Sequence, residues 1–574
     1  MFDDLALLAA QQLRASFDDY NRRFRVVTQR ARGRFEQKEW ASMQADLVER
    51  IESYDRCVAE ASDALSRVLE GHAGERELWA HIKPAFEQAI SGLLDGELYQ
   101  TYYNTLTRRF FKTRGVDADI EFVALSIEPT DRITHPVARQ SYSVGDSLAA
   151  SLDRLLADYP FAIAYRDRVG DARAAADDLL GRFAHWGEKP IRAIEMLETV
   201  FYRERRAYLV GRVFGAERFA PIVIALHHAA DGRGIAIDAV LTERDDVAVL
   251  FGITRSYFLA DFETVGDAVV FLKTLLPRKA VDEWYAMLGR LKQAKTERFR
   301  HFFRHFETSE EQFLHAPGEK GMVMAVFTLP DYPLVFKVIR DFFAPPKTVV
   351  RQDVMNKYQL VFKHDRAGRL IDAQEFRHLR FPRARFAAVV LDELLTGCRE
   401  SVVADGDDIV LLHCYVERRL RPLNLFVKEA TPELARRAVL DYGLAIKDLA
   451  MSNVFPGDLL LKNFGVTRHG RAIFYDYDEL CLISECRFRA LPTASHHDEE
   501  MHHGAWFHVD DYDVFPEQFP QFLGLDAGDR AALIAAHGDI FDVRWWLALQ
   551  ERIRSGDAPE IAPYPAALRL HSTR

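Results

Sequence analysis

The sequence predicts an α+β protein, with a mainly helical amino-terminal half that carries a small β-hairpin region and a carboxy-terminal half where strands and helices alternate. Three observations carry that reading. Up to about residue 210, apolar residues recur at intervals of three and four. From Pro221 to Val240 the text turns β-rich around a glycine-bearing turn. Beyond about residue 310, short β runs are interleaved with helical stretches. A chain of 574 residues is too long for one core. At about 150 residues per domain it should form two to four.

In the amino-terminal half, Leu5, Ala9, Leu13 and Phe17 step by four. Trp40, Met43, Leu47, Ile51, Tyr54, Val58, Ala61, Leu65 and Val68 alternate threes and fours. Such stripes are the buried faces of long amphipathic helices, and no chemistry is assigned to them. In PIVIALHHAADGRGIAIDAV, two β-rich runs flank Asp231-Gly232-Arg233-Gly234, a composition suited to a hairpin turn. His227 and His228 are adjacent, so on a strand they point to opposite faces and should not share a metal. Asp282 to Phe306 reads as one strong helix, solvated or bridging domains, whose Arg, Lys and His run is balanced by acidic residues. The main boundary is placed near residue 310, giving domains 1–310 and 311–574.

Composition narrows the function classes. With 48% hydrophobic and 12% aromatic residues, disorder and low complexity are excluded. The 75 Lys and Arg against 86 Asp and Glu leave a net charge of −11, which disfavours nucleic acid as a partner. Cys57, Cys398, Cys414, Cys481 and Cys486 form no C-x-x-C pair and read as free thiols in a reducing, cytoplasmic compartment. The start, MFDDLALLAAQQLRASFDDY, is acidic where a signal peptide would be basic, so no export is expected. No uncharged apolar stretch approaches the roughly 18 residues of a membrane span.

The chemistry lies after residue 310. Ala316-Pro317-Gly318-Glu319-Lys320-Gly321-Met322 is a glycine-bearing turn leading into an alternating β run, where small residues let backbone N–H groups approach phosphate. Lys337 then sits inside the apolar run PLVFKVI, a position that is costly unless its ammonium meets an anion. Asp458 and Asn463 are five positions apart in FPGDLLLKNFG, the spacing of the kinase catalytic loop, and Asp476 follows a β run thirteen positions later. Phosphoryl transfer requires a carboxylate for the nucleophilic hydroxyl, oxygen ligands for a divalent cation, and positive charge for the phosphates. Lys337, Asp458, Asn463 and Asp476 supply these in the order found in protein kinases, so the carboxy-terminal half is expected to be a bilobal, protein-kinase-like domain.

Its amino lobe should span about 311–415 and its carboxy lobe about 416–574. Tyr415, Val416 and Glu417 are read as the hinge presented to adenine. Two departures stand out. Pro456-Gly457 replace the usual His-Arg, and Asp476-Tyr477-Asp478 replaces Asp-Phe-Gly, adding a carboxylate two residues on. An acidic partner for Lys337 is unassigned, with Asp353 and Asp365 the nearest candidates downstream.

The phrases APGEKGMVMAVFTLP, VFKVIRDFFAP, HDRAGRLIDAQEF, YVERRLRPLN, NVFPGDLLLKNFGVTRHGR and FYDYDE, spread over the carboxy-terminal half of a match covering nearly the whole chain, resemble the isocitrate dehydrogenase kinase/phosphatase family. The resemblance implies a helical regulatory domain ahead of the kinase-like domain, and one active site that phosphorylates a serine of isocitrate dehydrogenase and hydrolyses the phosphoserine. It implies that residues 316–322 and Lys337 hold ATP or ADP, that Asp458 is the kinase base, and that Asn463 and Asp476 bind Mg²⁺, with Mn²⁺ as an alternative. Asp372 is carried over as a residue of the phosphatase reaction, Asp478 is placed to help water attack, and Lys462 is placed to touch the transferred phosphate. Adenine nucleotides and metabolites are the implied effectors, and a homodimer is left open. The His- and acid-rich stretch Ala494–Asp513 lacks metal-ligand spacing and is read, within 487–513, as a substrate-recognition segment. The alternatives are a small-molecule phosphotransferase on the same fold and a nucleotide-binding pseudokinase scaffold.

Overall fold

The computed structural model describes all residues except 1, 124–134, 146, 255–256, 346–348, 492–507, 511, 558 and 571–574. The chain divides into two compact units. One comprises Met1–Gly252, Ser256–Glu310 and Ala562–Arg574, and the other Ile253–Arg255 and Glu311–Ile561.

The first unit opens with α1 (Phe2–Glu36), α2 (Trp40–Val68), α3 (Arg76–Ile90) and α4 (Gly96–Phe110). The stripe begun by Ala9, Leu13 and Phe17 is buried and continues through Tyr20 and Phe24. The Phe17 ring packs 4.3 Å from that of Tyr99 on α4. α5 (Leu148–Ala157) and α6 (Arg168–His185) follow, and the strands β1 (Arg139–Ser143), β2 (Ala193–Leu197), β3 (Phe201–Arg203), β4 (Arg206–Phe214), β5 (Phe219–His228) and β6 (Ile235–Leu241) form one sheet. Its order is β1-β2-β4-β5-β6 with β3 against β4, so the hairpin expected around Asp231 is the edge of a six-stranded sheet. Gly232 and Gly234 take φ of 74° and 90° there, values that favour glycine. His228 is buried and its ring bonds the Phe35 carbonyl at 2.8 Å, a structural role.

After α7 (Arg244–Leu250) and α8 (Val265–Leu275), the single helix expected over 282–306 is two, α9 (Val281–Met287) and α10 (Leu291–Thr308). The break falls at Gly289, whose φ is 81°, and a Cβ there would lie 2.6 Å from the Arg50 guanidinium. Nor is α10 solvated. Gln293, Glu297, Arg298 and Arg300 are buried, with Arg298 donating to Asp282 at 2.8 Å and Arg300 paired with Glu297. The segment Ala562–Arg574 belongs with this unit because Tyr564 donates to the Asp238 carboxylate at 2.6 Å and the Leu570 N–H donates to the Asp238 carbonyl at 2.9 Å.

The second unit begins with β7 (Leu314–His315), β8 (Met324–Thr328) and β9 (Leu334–Ile339), then α11 (Arg351–His364), β10 (Gln374–Phe376), β11 (Leu379–Pro382), α12 (Ala388–Gly397), β12 (Val402–Asp405), β13 (Asp408–Leu411) and β14 (Cys414–Arg418). β10-β14-β9-β8-β7 form a five-stranded antiparallel sheet, and β11-β13-β12 a smaller one. Below them come β15 (Arg421–Pro422), α13 (Leu423–Glu429), α14 (Pro432–Met451), β16 (Val454–Phe455), β17 (Phe464–Val466), β18 (Ala472–Phe474) and β19 (Cys481–Leu482). α14 starts in register with its sequence, Thr431 capping and Pro432 in its first turn. Its inner face, including Tyr442, Ile446 and Leu449, shares a core with Phe464, Phe474 and Trp546.

Candidate active site

Lys337 lies in β9, every residue of which is buried. In the antiparallel register Tyr415 faces Lys337 and Glu417 faces Val335, which puts Lys337, Tyr415 and Glu417 on one side of the sheet. Glu417 is therefore the acidic partner missing from the sequence reading. Its Oε1 lies 2.6 Å from the Lys337 ammonium, which also donates to the Tyr475 carbonyl at 2.8 Å. The two acids considered from sequence do other work. Asp353 accepts from the Val350 N–H at the start of α11, and Asp365 accepts from the Gly368 N–H at 2.7 Å in the turn before Arg369.

The hinge reading needs correction at its core. Tyr415 and Val416 sit inside β14, with ladder partners in β9 and β10 on both sides, and the Tyr415 ring stacks on Tyr358 at 3.8 Å. Their backbone is taken up within the sheet and the Glu417 side chain by Lys337. A central strand leaves no main-chain groups over for a ligand.

Asp458 occupies the loop between β16 and the turn Leu461–Asn463, where its Oδ1 accepts from the Leu460 N–H at 3.1 Å and from the Asn463 side chain. The Tyr442 hydroxyl on α14 fixes the loop by donating to the Leu459 carbonyl. The glycine before Asp458 explains one departure from the kinase pattern. Gly457 takes φ of 89°, and a Cβ would fall 2.5 Å from that of Glu479, so the arginine usual at that position would not fit this backbone.

Asp476 follows β18 and shares a hydrogen bond with Asp478, with Asp458 near enough to add repulsion. Burial first, then the Asp478 charge, push the Asp476 carboxyl up to about 8, with Lys337 acting in the opposite direction. Asp478 and Asp458 both act on Asp476 as like charges, and a hard divalent cation bound by Asp476 would relieve that repulsion. Asn463 and Asp476 fit such a cation, and Asp478 adds a third oxygen donor.

Asp372 is brought to the same turn by the backbone. Leu370 bridges Phe474 in parallel, the Ile371 N–H donates to the Phe474 carbonyl at 3.1 Å, and the Tyr477 hydroxyl donates to the Ile371 carbonyl at 2.7 Å. The buried Asp372 carboxylate accepts from the Gln374 amide at 3.0 Å. Its N–H donates to Ile253, whose neighbour Thr254 bridges Ile371. The sequence carried no signal for that strand insertion, since the partner lies more than a hundred residues upstream.

Sequence reasoning also missed Arg369. Fully buried, it donates from Nε to Asp448 at 2.7 Å and from Nη1 to Asp441 at 2.6 Å, both on α14, and to the Ala472 carbonyl at 3.0 Å. The spacing of Asp441 and Asp448, two helical turns, was the available clue.

The glycine turn lies between β7 and β8. Ala316 donates its N–H to Val326 at 3.1 Å, Pro317 to Met322 are exposed, and Gly318 takes φ of 129°. Lys320 lies 3.2 Å from Glu393 on α12, and Glu319 lies 3.2 Å from the Lys462 ammonium in the loop after Asp458. Of the segment 487–513, Arg487 and Phe488 pair in parallel with Asp513 and Val514 at its two ends, while 492–507 and 511 fall outside the described residues.

Comparison with known proteins gives the family of each half of the chain. Residues 10–310 match the model for the isocitrate dehydrogenase kinase/phosphatase (AceK) regulatory domain, and residues 311–566 the model for its kinase domain. The chain belongs to the isocitrate dehydrogenase kinase/phosphatase family. Curated members of that name include a protein of Xanthomonas euvesicatoria pv. vesicatoria, 56% identical over 98% of both chains. Another, from Anaeromyxobacter sp., is 47% identical over 99% of this chain and 98% of its own. As a member of the isocitrate dehydrogenase kinase/phosphatase family, the chain has a kinase-like domain that uses ATP with a divalent metal. No helix among the described residues is long and apolar enough to cross a membrane.

Proposed function

We propose that this protein adds phosphate from ATP to a serine of NADP-dependent isocitrate dehydrogenase and removes it again at the same site. The observation that carries the reading is the joint placement of Asp458, Asp476 and Asp478 with Asn463 and Lys337, with the Asp372 segment hydrogen-bonded into the same turn. Residues 316–322 lie over the nucleotide and Lys337 meets its phosphates, with Glu417 orienting the ammonium. Asn463 and Asp476 would hold a Mg²⁺ or Mn²⁺ ion, which would neutralise charge on the phosphoryl oxygens.

In the forward reaction Asp458 accepts the proton of the serine hydroxyl as its oxygen bonds the γ-phosphorus and the bond to the β-phosphate oxygen breaks, leaving ADP. Lys462 gives up Glu319 and turns to the transferred group. In the reverse reaction a water oxygen bonds the phosphoserine phosphorus and the serine C–O–P linkage breaks at phosphorus. Asp372, helped by Asp478, holds the water and takes its proton, the departing serine oxygen takes up a proton from solvent to leave as the hydroxyl, and inorganic phosphate is released. Phosphate placed near an anion-binding substrate pocket repels isocitrate, so forward transfer switches the dehydrogenase off. The helical regulatory unit is the place for adenine nucleotide and metabolite effectors, and the cytoplasm the place of action.

The test is a pair of variants. Asp458→Ala should abolish phosphorylation of the dehydrogenase in a folded protein, while Asp372→Ala should abolish dephosphorylation and keep phosphorylation. Equal loss of both reactions in Asp372→Ala would overturn the division of roles, and wild-type transfer in Asp458→Ala would overturn the base.

A further inference from the structure

Tyr477 stands where the kinase pattern has phenylalanine, between the two carboxylates Asp476 and Asp478. Its ring is fully buried, edge-on to Tyr358 of α11 at 5.0 Å and 5.8 Å from Phe474. Phenylalanine would fill the same space. The hydroxyl is what differs, and it donates to the Ile371 carbonyl at 2.7 Å.

A buried phenol oxygen demands a partner, and this one takes the main chain immediately before Asp372. Ile371 is thereby held on both sides by one short stretch of chain, its N–H by the Phe474 carbonyl and its C=O by Tyr477. The backbone at Tyr477 carries Asp476 on one side and Asp478 on the other. One hydrogen bond thus spans from the Asp476–Asp478 turn to the segment of Asp372, one residue removed from each of the three carboxylates. Tyr358 extends the support toward the nucleotide side, since its ring stacks on Tyr415, the ladder partner of Lys337.

We infer that the Tyr477 hydroxyl is a positioning group that sets the distance of Asp372 from Asp476 and Asp478, so that transfer and hydrolysis share one geometry. A phenylalanine ring packs equally well in either arrangement of such a turn. The tyrosine hydroxyl also lies 3.4 Å from the Phe474 carbonyl of its own turn, but the short bond to Ile371 is the one that ties the turn to the Asp372 segment, and this favours a fixed site over a switching one. The inference rests on the reading of Asp476 as a metal ligand and Asp372 as a residue of the hydrolytic reaction.

The experiment is Tyr477→Phe in the full chain, with four readouts. Removing one buried hydrogen bond should raise the metal concentration for half-maximal phosphorylation between about two- and ten-fold. The hydrolytic rate should fall by at least that factor. KM for the dehydrogenase should stay unchanged, and hydrogen exchange at the Ile371 and Asp372 amides should quicken. Ring packing is retained, so the thermal midpoint should move by only a few degrees. Asp476→Asn is measured beside it. If Asp476→Asn abolishes phosphorylation or raises the metal it requires, and Tyr477→Phe leaves metal dependence, hydrolysis and exchange as in the wild type, the positioning role is overturned while the metal reading stands. If Asp476→Asn leaves metal dependence unchanged, the reading of the metal site falls, and the positioning role with it. A uniform loss of both activities with a large fall in the midpoint would assign Tyr477 to folding alone and would equally overturn it.

Discussion

Replacing Lys337 by methionine separates what the buried ion pair does for folding from what it does for chemistry. Lys337 is 6% exposed and Glu417 2%, so methionine keeps the packing volume of the lysine stem but deprives the Glu417 carboxylate of its counter-charge. Breaking a buried pair from one side costs about 3–5 kcal/mol, because the desolvated charge left behind is uncompensated. At roughly 2–4 °C per kcal/mol for a unit of this size, the transition of the catalytic unit should fall by about 6–20 °C. Lys337→Met combined with Glu417→Leu replaces both charges by apolar groups, a change that is often neutral or stabilising. The double variant should recover most of the lost midpoint while transfer from ATP stays absent in both proteins. Calorimetry with a labelled-ATP assay reads both quantities. A single variant as stable as the double, or a double variant that regains transfer, would refute the reasoning.

Three further outcomes follow from other parts of the molecule. Arg369→Leu should destabilise the catalytic unit by about 3–5 kcal/mol in denaturant unfolding, since Asp441 and Asp448 lose a fully buried guanidinium, and adding Asp448→Asn should recover part of the loss. In the first unit, burial and then the Asp95 charge push the Glu97 carboxyl up to about 8 from its ordinary 4.5. The folded state keeps that proton over a window where the unfolded chain has released it, so this stabilising contribution is complete below pH 4.5 and is lost as pH rises through 8. Glu97→Gln should raise the thermal midpoint at pH 8.5 relative to wild type by more than it does at pH 5, and equal shifts at both would contradict the account. Chelation of divalent metal should stop phosphorylation and dephosphorylation together, with Mg²⁺ or Mn²⁺ restoring both. Hydrolysis that persists in excess chelator would contradict a shared site.

How much of this was legible in the sequence depended on whether the signal was local. The helices α1 and α2 were readable because an apolar residue every three or four positions has one cheap burial, and the structure buries it. That Asp458, Asn463 and Asp476 come together was readable because the loop and the strand after it lie close in the chain. Glu417 was misread because its role depends on which strand pairs with β9, and nothing local records that register. The contact between Ile253 and Asp372 and the burial of Arg369 on α14 were silent for the same reason: each joins segments far apart in sequence. The break at Gly289 was missed because a glycine inside a helical pattern is tolerated more often than it interrupts, and here a close arginine decides.

The central claim is that one site performs two opposed reactions. Purified protein is incubated with γ-labelled ATP, Mg²⁺ and isocitrate dehydrogenase until label has entered the dehydrogenase. ATP is then removed and ADP supplied, and label and dehydrogenase activity are followed throughout in wild type and in Asp476→Asn. The account predicts label gained as activity falls, then released as inorganic phosphate while activity returns, with both phases lost in Asp476→Asn. Asp476→Asn is also given dehydrogenase labelled beforehand by the wild type; release of phosphate from it at the wild-type rate, with incorporation abolished, would place hydrolysis at a separate site and contradict the account.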